Sequence, residues 1–176
     1  MALSVPARRM VCHATGKPLP MTTIDNATLA RAAALGAASG SRSTAGITAL
    51  ALTSRPDDLG VIASRAGSRP GQVVTPLAAA GELTADKLPF TPSRLGVPGL
   101  VPRIALAATA AAGMAIRDGE RPEPAAAVAA VAAFGSAALG VQFRALAARR
   151  LGSDLPGAFA EDALAGALAW LGARRR

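Results

Sequence analysis

The chain has 176 residues, room for one domain, and carries 19 Lys+Arg against 11 Asp+Glu, a formal net charge of +8. Hydrophobic residues make up 51%, charged residues 17% and aromatics 3%; there are 45 Ala and no Tyr, and the mean hydropathy is +0.35. This composition excludes a largely disordered chain; a lone Cys12 excludes a disulfide scaffold, and Cys12 with the single His13 cannot build a zinc site.

A pI near 11.5 is compatible with nucleic acid or with an anionic membrane surface. One Trp and four Phe are too few for base stacking. The cations are scattered and fall mostly at the ends of apolar runs, as at Arg149-Arg150 and Arg174-Arg175-Arg176. That pattern fits helix ends meeting lipid headgroups, so nucleic acid is not an expected partner.

In chain order, residues 1–22 have no helical period and contain Pro6, Pro18 and Pro20; they read as a disordered arm, with Met10 and Met21 as alternative starts. A single helical membrane domain is expected over 23–173, followed by a basic tail at 174–176. The first helical stretch, 25–53, opens with Asp25 as N-cap and is interrupted by a Gly/Ser-rich break over 36–46. Arg31, Arg42 and Arg55 cut it into uncharged runs of ten and twelve residues, each too short to cross a bilayer, which needs about 20. Either one helix crosses with Arg42 near its middle, or two half-helices meet at the break. Gly36 and Gly40 form a G-x-x-x-G pair that permits close helix packing, although such a pair also arises by chance in an Ala/Gly-rich chain.

Residues 54–69 read as a loop or interfacial helix. A helix follows over about 70–88, shortened to 13 residues if Thr75 caps it and Pro76 is its first residue. Residues 100–116 and 125–143 are long apolar helices. The second is opened by Glu123-Pro124 and closed by Arg144, Arg149 and Arg150, matching the helix dipole. A last helix runs from Pro156 to Gly172. Strand signals are nearly absent.

A soluble amphipathic helix needs a polar face, and the stretches 100–116 and 125–143 have none. Small residues are what bilayer helices use to pack. The expected fold is therefore all-α: a polytopic membrane bundle of about four or five Ala/Gly-rich helices in the bacterial plasma membrane. Its partners would be the lipid bilayer and further copies of itself.

The polar residues these helices carry are the candidate site. Glu82 and Asp86, four apart, share a helix face and need a cation, a proton or an aqueous cavity. Lys87 points elsewhere, toward the headgroups. Glu161 and Asp162 lie about 7.5 Å into the last helix, at interfacial depth, where structural pairing is expected. Arg42 is the costliest placement if the first stretch crosses, and it is expected to offset Glu82 or Asp86. No catalytic triad, P-loop, metal set or cofactor fingerprint is present, so no enzyme is expected.

The run Glu82-Leu83-Thr84-Ala85-Asp86-Lys87-Leu88-Pro89 resembles the Glu-x-x-x-Asp-Lys-x-Pro signature of the domain of unknown function 4126 family, small bacterial integral membrane proteins. Gly40-Ser41-Arg42 resembles that family's Gly-x-Arg in a small-residue-rich first helix, and the resemblance covers roughly residues 26–171. After Pro89 the chain departs from the pattern, with Thr91-Pro92-Ser93-Arg94 in place of a further acidic pair. The resemblance implies a polytopic membrane protein without an established activity. Two functions follow from the residues: a small channel or transporter-like protein for an ion or polar solute, with Arg42, Glu82 and Asp86 lining its path, or a structural or interaction protein whose charges pair internally.

Overall fold

The computed structural model describes residues 10–12, 18–20, 24–85, 96–151 and 155–175. Seven helices dominate these residues: α1 (Asn26–Ser41), α2 (Ala45–Thr53), α3 (Val61–Ala66), α4 (Arg69–Ala85), α5 (Val97–Arg117), α6 (Pro122–Leu151) and α7 (Leu155–Ala173). Within the arm, β1 (Met10–Cys12) and β2 (Pro18–Pro20) pair antiparallel with Val11 opposite Leu19.

Asp25 caps α1 as expected, its carboxylate accepting the Thr28 N–H at 2.6 Å. The break is narrower than the Gly/Ser-rich segment suggests: helix continues through Gly36 and Gly40, and only residues 42–44 leave it. Those glycines serve packing. A Cβ on Gly36 would overlap the Ala129 carbonyl oxygen, and one on Gly40 would overlap the Ser136 hydroxyl and the Ala133 carbonyl oxygen. Backbone of α1 thus lies directly on backbone of α6, as small residues allow.

Helices α5 and α6 start slightly earlier than expected, because proline is tolerated in the first turn of a helix. The fourth helix begins at Arg69, the longer of the two expected forms. Ser68 caps it, its hydroxyl accepting from Gly71 N–H and its carbonyl from Gln72 N–H, and Pro76 lies inside. The fifth begins at Val97, with Pro98 in its first turn and Pro102 inside. The sixth opens at Pro122 and runs to Leu151, with Arg149 and Arg150 in its last turn as expected.

Packing contacts fix the directions. Early in α5, Arg103 reaches the end of α1, and Asp118 after α5 meets Arg31 near the start of α1, so the two are antiparallel. Gly36 and Gly40 meeting Ala129 and Ala133 in order make α1 and α6 parallel. Gly172 against Leu35 and Asp162 against Arg42 make α7 antiparallel to α1. On α2, Gly46 packs on Ser39 and Leu35, while Thr53 meets Arg117 at the other end. The chain therefore doubles back at the 42–44 turn: α1 and α2 are the two arms of a hairpin, and not one helix with a break.

The interior is built from small side chains. Among the described residues the large fully buried side chains are Leu35, Leu50 and Met114, and most of the remaining apolar core is Ala. Large apolar side chains instead face outward: Val131, Phe134, Leu139 and Phe143 on α6, Phe159 and Trp170 on α7. Two helical segments, Pro98–Arg117 and Pro122–Ala147, are long and apolar enough to cross a membrane. A core helix of a soluble protein would pass the same test while mostly buried, but only 22% of the second is buried.

Candidate functional site: a charged turn inside the bundle

The turn at 42–44 is made by backbone and closed by side chains from three other helices. Arg42 is extended, and its N–H still completes α1 by donating to the Ala38 carbonyl. Ala45 N–H donates to the Arg42 carbonyl and starts α2. Thr44 caps α2 by position, yet its hydroxyl makes no capping bond. That hydroxyl goes to α4 instead.

Glu82 of α4 enters the turn with its carboxylate held as a fork. Ser43 donates to Oε1 through both its N–H and its hydroxyl, each at 2.7 Å. Thr44 donates to Oε2 through its N–H at 3.0 Å and its hydroxyl at 2.7 Å. The positive end of the α2 dipole faces this carboxylate, which adds to four charge-assisted bonds.

Arg103 of α5 answers the opposite end. Its Nη1 donates to the carbonyls of Gly40 at 3.0 Å and Ser41 at 2.8 Å, two acceptors at the end of α1. Its Nη2 lies 3.8 Å from Glu82 Oε1, and the two side chains are only 6% and 14% exposed. A cation thus sits at one helix's negative end and an anion at the next helix's positive end, and the two face each other.

Arg42 turns away from Glu82. Its Nε and Nη2 both lie 2.6 Å from Asp162 Oδ1 on α7. Of the two carboxylates expected to offset it, Arg42 does not meet Glu82: its extended backbone points the side chain toward α7, while Ser43, Thr44 and Arg103 hold Glu82. Asp86 and Lys87 lie outside the described residues. Glu161 is buried and faces Gly140, where a Cβ would stand 3.1 Å from its Oε1. The structure therefore gathers Arg42, Glu82, Glu161 and Asp162 around the turn, while Gly36 and Gly40 seat α1 on α6.

Arg103, missed as a site residue by sequence reasoning, belongs to a larger pattern. At the other end of the bundle, Arg31 bonds Asp118 at 2.6 Å and the carbonyls of Gly172 at 3.1 Å and Arg174 at 2.6 Å. Arg117 bonds Asp118, Thr53 and the Ala173 carbonyl, and its side chain is 2% exposed. Glu120 accepts from Asp25 N–H and the Thr28 hydroxyl, and Arg175 pairs with Asp58. The signal was present: Arg31 and Arg42 are eleven residues apart on α1, and Arg103 and Arg117 are fourteen apart on α5, so each pair lies close to one helix face.

Among the described residues no group of three His, Cys, Asp or Glu side chains is placed to hold a metal ion. No family model, no curated protein and no solved structure matches the chain.

Proposed function

We propose that the chain is a polytopic membrane protein that binds or passes a small ion or polar solute at the 42–44 turn. The observation that carries this is the depth of the charged turn. Gly40 packs on Ala133 and Ser136, which stand eleven residues inside the two ends of the Pro122–Ala147 segment. If α6 crosses the bilayer, five ionisable side chains from α1, α4, α5 and α7 meet near half depth. Ionisable groups there are rare, costly and usually functional. The outward-facing large apolar side chains supply the lipid-facing surface this reading needs. The resemblance of residues 82–89 to the domain of unknown function 4126 family agrees with it. The reading assigns no catalytic chemistry, takes the bacterial plasma membrane as location, and leaves the bundle able to associate with further copies of itself.

A second reading is favoured by one observation: Arg42, Glu82, Arg103 and Asp162 already satisfy one another and the helix ends. Under it the same charges hold a structural or interaction protein together. Proteoliposome flux separates the two. The first reading expects flux of at least one of potassium, chloride, protons or glycerol above empty liposomes, lost in Glu82→Gln. Folded protein that carries none of these would favour the second.

A further inference from the structure

The α1–α2 hairpin and the arginine distribution together carry an inference about how this chain meets the membrane. Helix α1 runs toward the turn and α2 runs back, so Asn26 and Thr53 lie at the same end of the bundle. About 24 Å of α1 and about 13 Å of α2, at 1.5 Å per residue, are too short to cross a 30 Å core. Helix α6, at 30 residues, continues well beyond the level of the turn. Backbone that turns inside a bilayer must be buried in protein or line a polar cavity. Glu82, Arg103 and Asp162 meet that requirement, since they satisfy the turn's donors, its acceptors and its arginine.

The connections at the two ends of the bundle differ in cation content. The end holding Asn26, Thr53 and the last turn of α7 exposes Arg55, Arg65, Arg69, Arg121, Arg174 and Arg175. The opposite end, among the described residues, exposes Arg149 and Arg150. Counting Arg149-Arg150 against the C-terminal arginines alone leaves orientation open, because they flank one helix. Among the described residues the exposed cations number six at one end and two at the other. Lys and Arg near helix ends favour the cytoplasmic face, with its anionic lipid headgroups.

We infer that α1 and α2 form a re-entrant hairpin that enters the bilayer from the arginine-rich face, that this face is cytoplasmic, and that α5 and α6 cross beside it. The inference rests on the membrane reading above, and the test keeps the two apart. In a Cys12→Ser background, single Asn26→Cys, Asp57→Cys, Arg149→Cys and Ser43→Cys variants are labelled with a membrane-impermeant maleimide in inverted and right-side-out bacterial vesicles. Positions 26 and 57 should label in inverted vesicles only, and position 149 in right-side-out vesicles only. Position 43 should resist the reagent from both sides. Opposite sidedness of 26 and 57 would overturn the hairpin. Labelling of 43 together with 26 from one side would place the turn outside the bilayer. Reversal of all three end positions would overturn the orientation. Equal labelling of every position in both preparations would overturn the membrane reading itself.

Discussion

Glu82 is where a single residue decides the most. Its carboxylate receives four donors, and a neutral amide of the same shape keeps one accepting oxygen while turning an NH2 toward a backbone N–H that cannot accept and a hydroxyl that must turn round to do so. A buried donor left unsatisfied costs about 1–3 kcal/mol, so Glu82→Gln should destabilise by about that much, read as a lower melting temperature in detergent. Double-mutant cycles test the pairings. Asp162 is about a third exposed, which places its pair with Arg42 between a solvated pair, worth about 0–1 kcal/mol, and a buried one, whose one-sided loss costs about 3–5 kcal/mol. Coupling between Arg42→Leu and Asp162→Leu should therefore be about 1–2 kcal/mol. It should exceed the coupling between Arg42→Leu and Glu82→Leu. A larger Arg42–Glu82 coupling would mean that the turn is wired differently from the geometry described above. The sequence placed these residues on helices correctly but not their partners, because side-chain direction at a three-residue turn depends on φ and ψ that no periodicity encodes.

At the scale of elements, the α1–α6 contact is the seam that sets the depth of the turn. Gly40→Ala forces a methyl group into the Ser136 hydroxyl and the Ala133 carbonyl, and overpacking of this kind costs about 1–3 kcal/mol. Gly135 is the control: a Cβ there meets nothing within 4 Å, and Gly→Ala in a helix gains up to about 1 kcal/mol. Gly40→Ala should lower the melting temperature in detergent while Gly135→Ala leaves it unchanged or raises it. Equal effects would mean that α1 does not rest on α6. Every helix expected from the sequence is present, since long apolar runs bounded by Pro, Gly and Arg are strong local signals. The doubling back of α2 was not legible. A 16-residue and a 9-residue helix joined by three residues have the same local pattern whether collinear or folded, and only long-range packing of Gly46 on Ser39 distinguishes them.

For the whole molecule, the distribution of side-chain size is the property that any account must explain. Ala inside and Val, Leu, Phe and Trp outside reverses the arrangement that water imposes, in which the largest apolar side chains gain most from burial. In a bilayer the reversal is expected, because lipid already solvates large apolar groups and helices approach through small ones. The protein should accordingly stay in the pellet after an alkaline carbonate wash and need detergent for release; monodisperse protein in detergent-free buffer would contradict that. Composition alone raised the membrane reading, but the number of crossings it would imply was not legible, since Ala is nearly neutral for insertion. The most direct measurement uses the chain's one tryptophan, Trp170, which is 57% exposed on α7, one turn before its end at the arginine-rich face. In liposomes containing brominated lipids, the account predicts strong quenching of Trp170 fluorescence, greatest when bromine is carried near the headgroup, with little quenching by aqueous iodide. Iodide quenching with no effect of brominated lipid would show Trp170 in water and contradict the placement of this bundle in the bilayer.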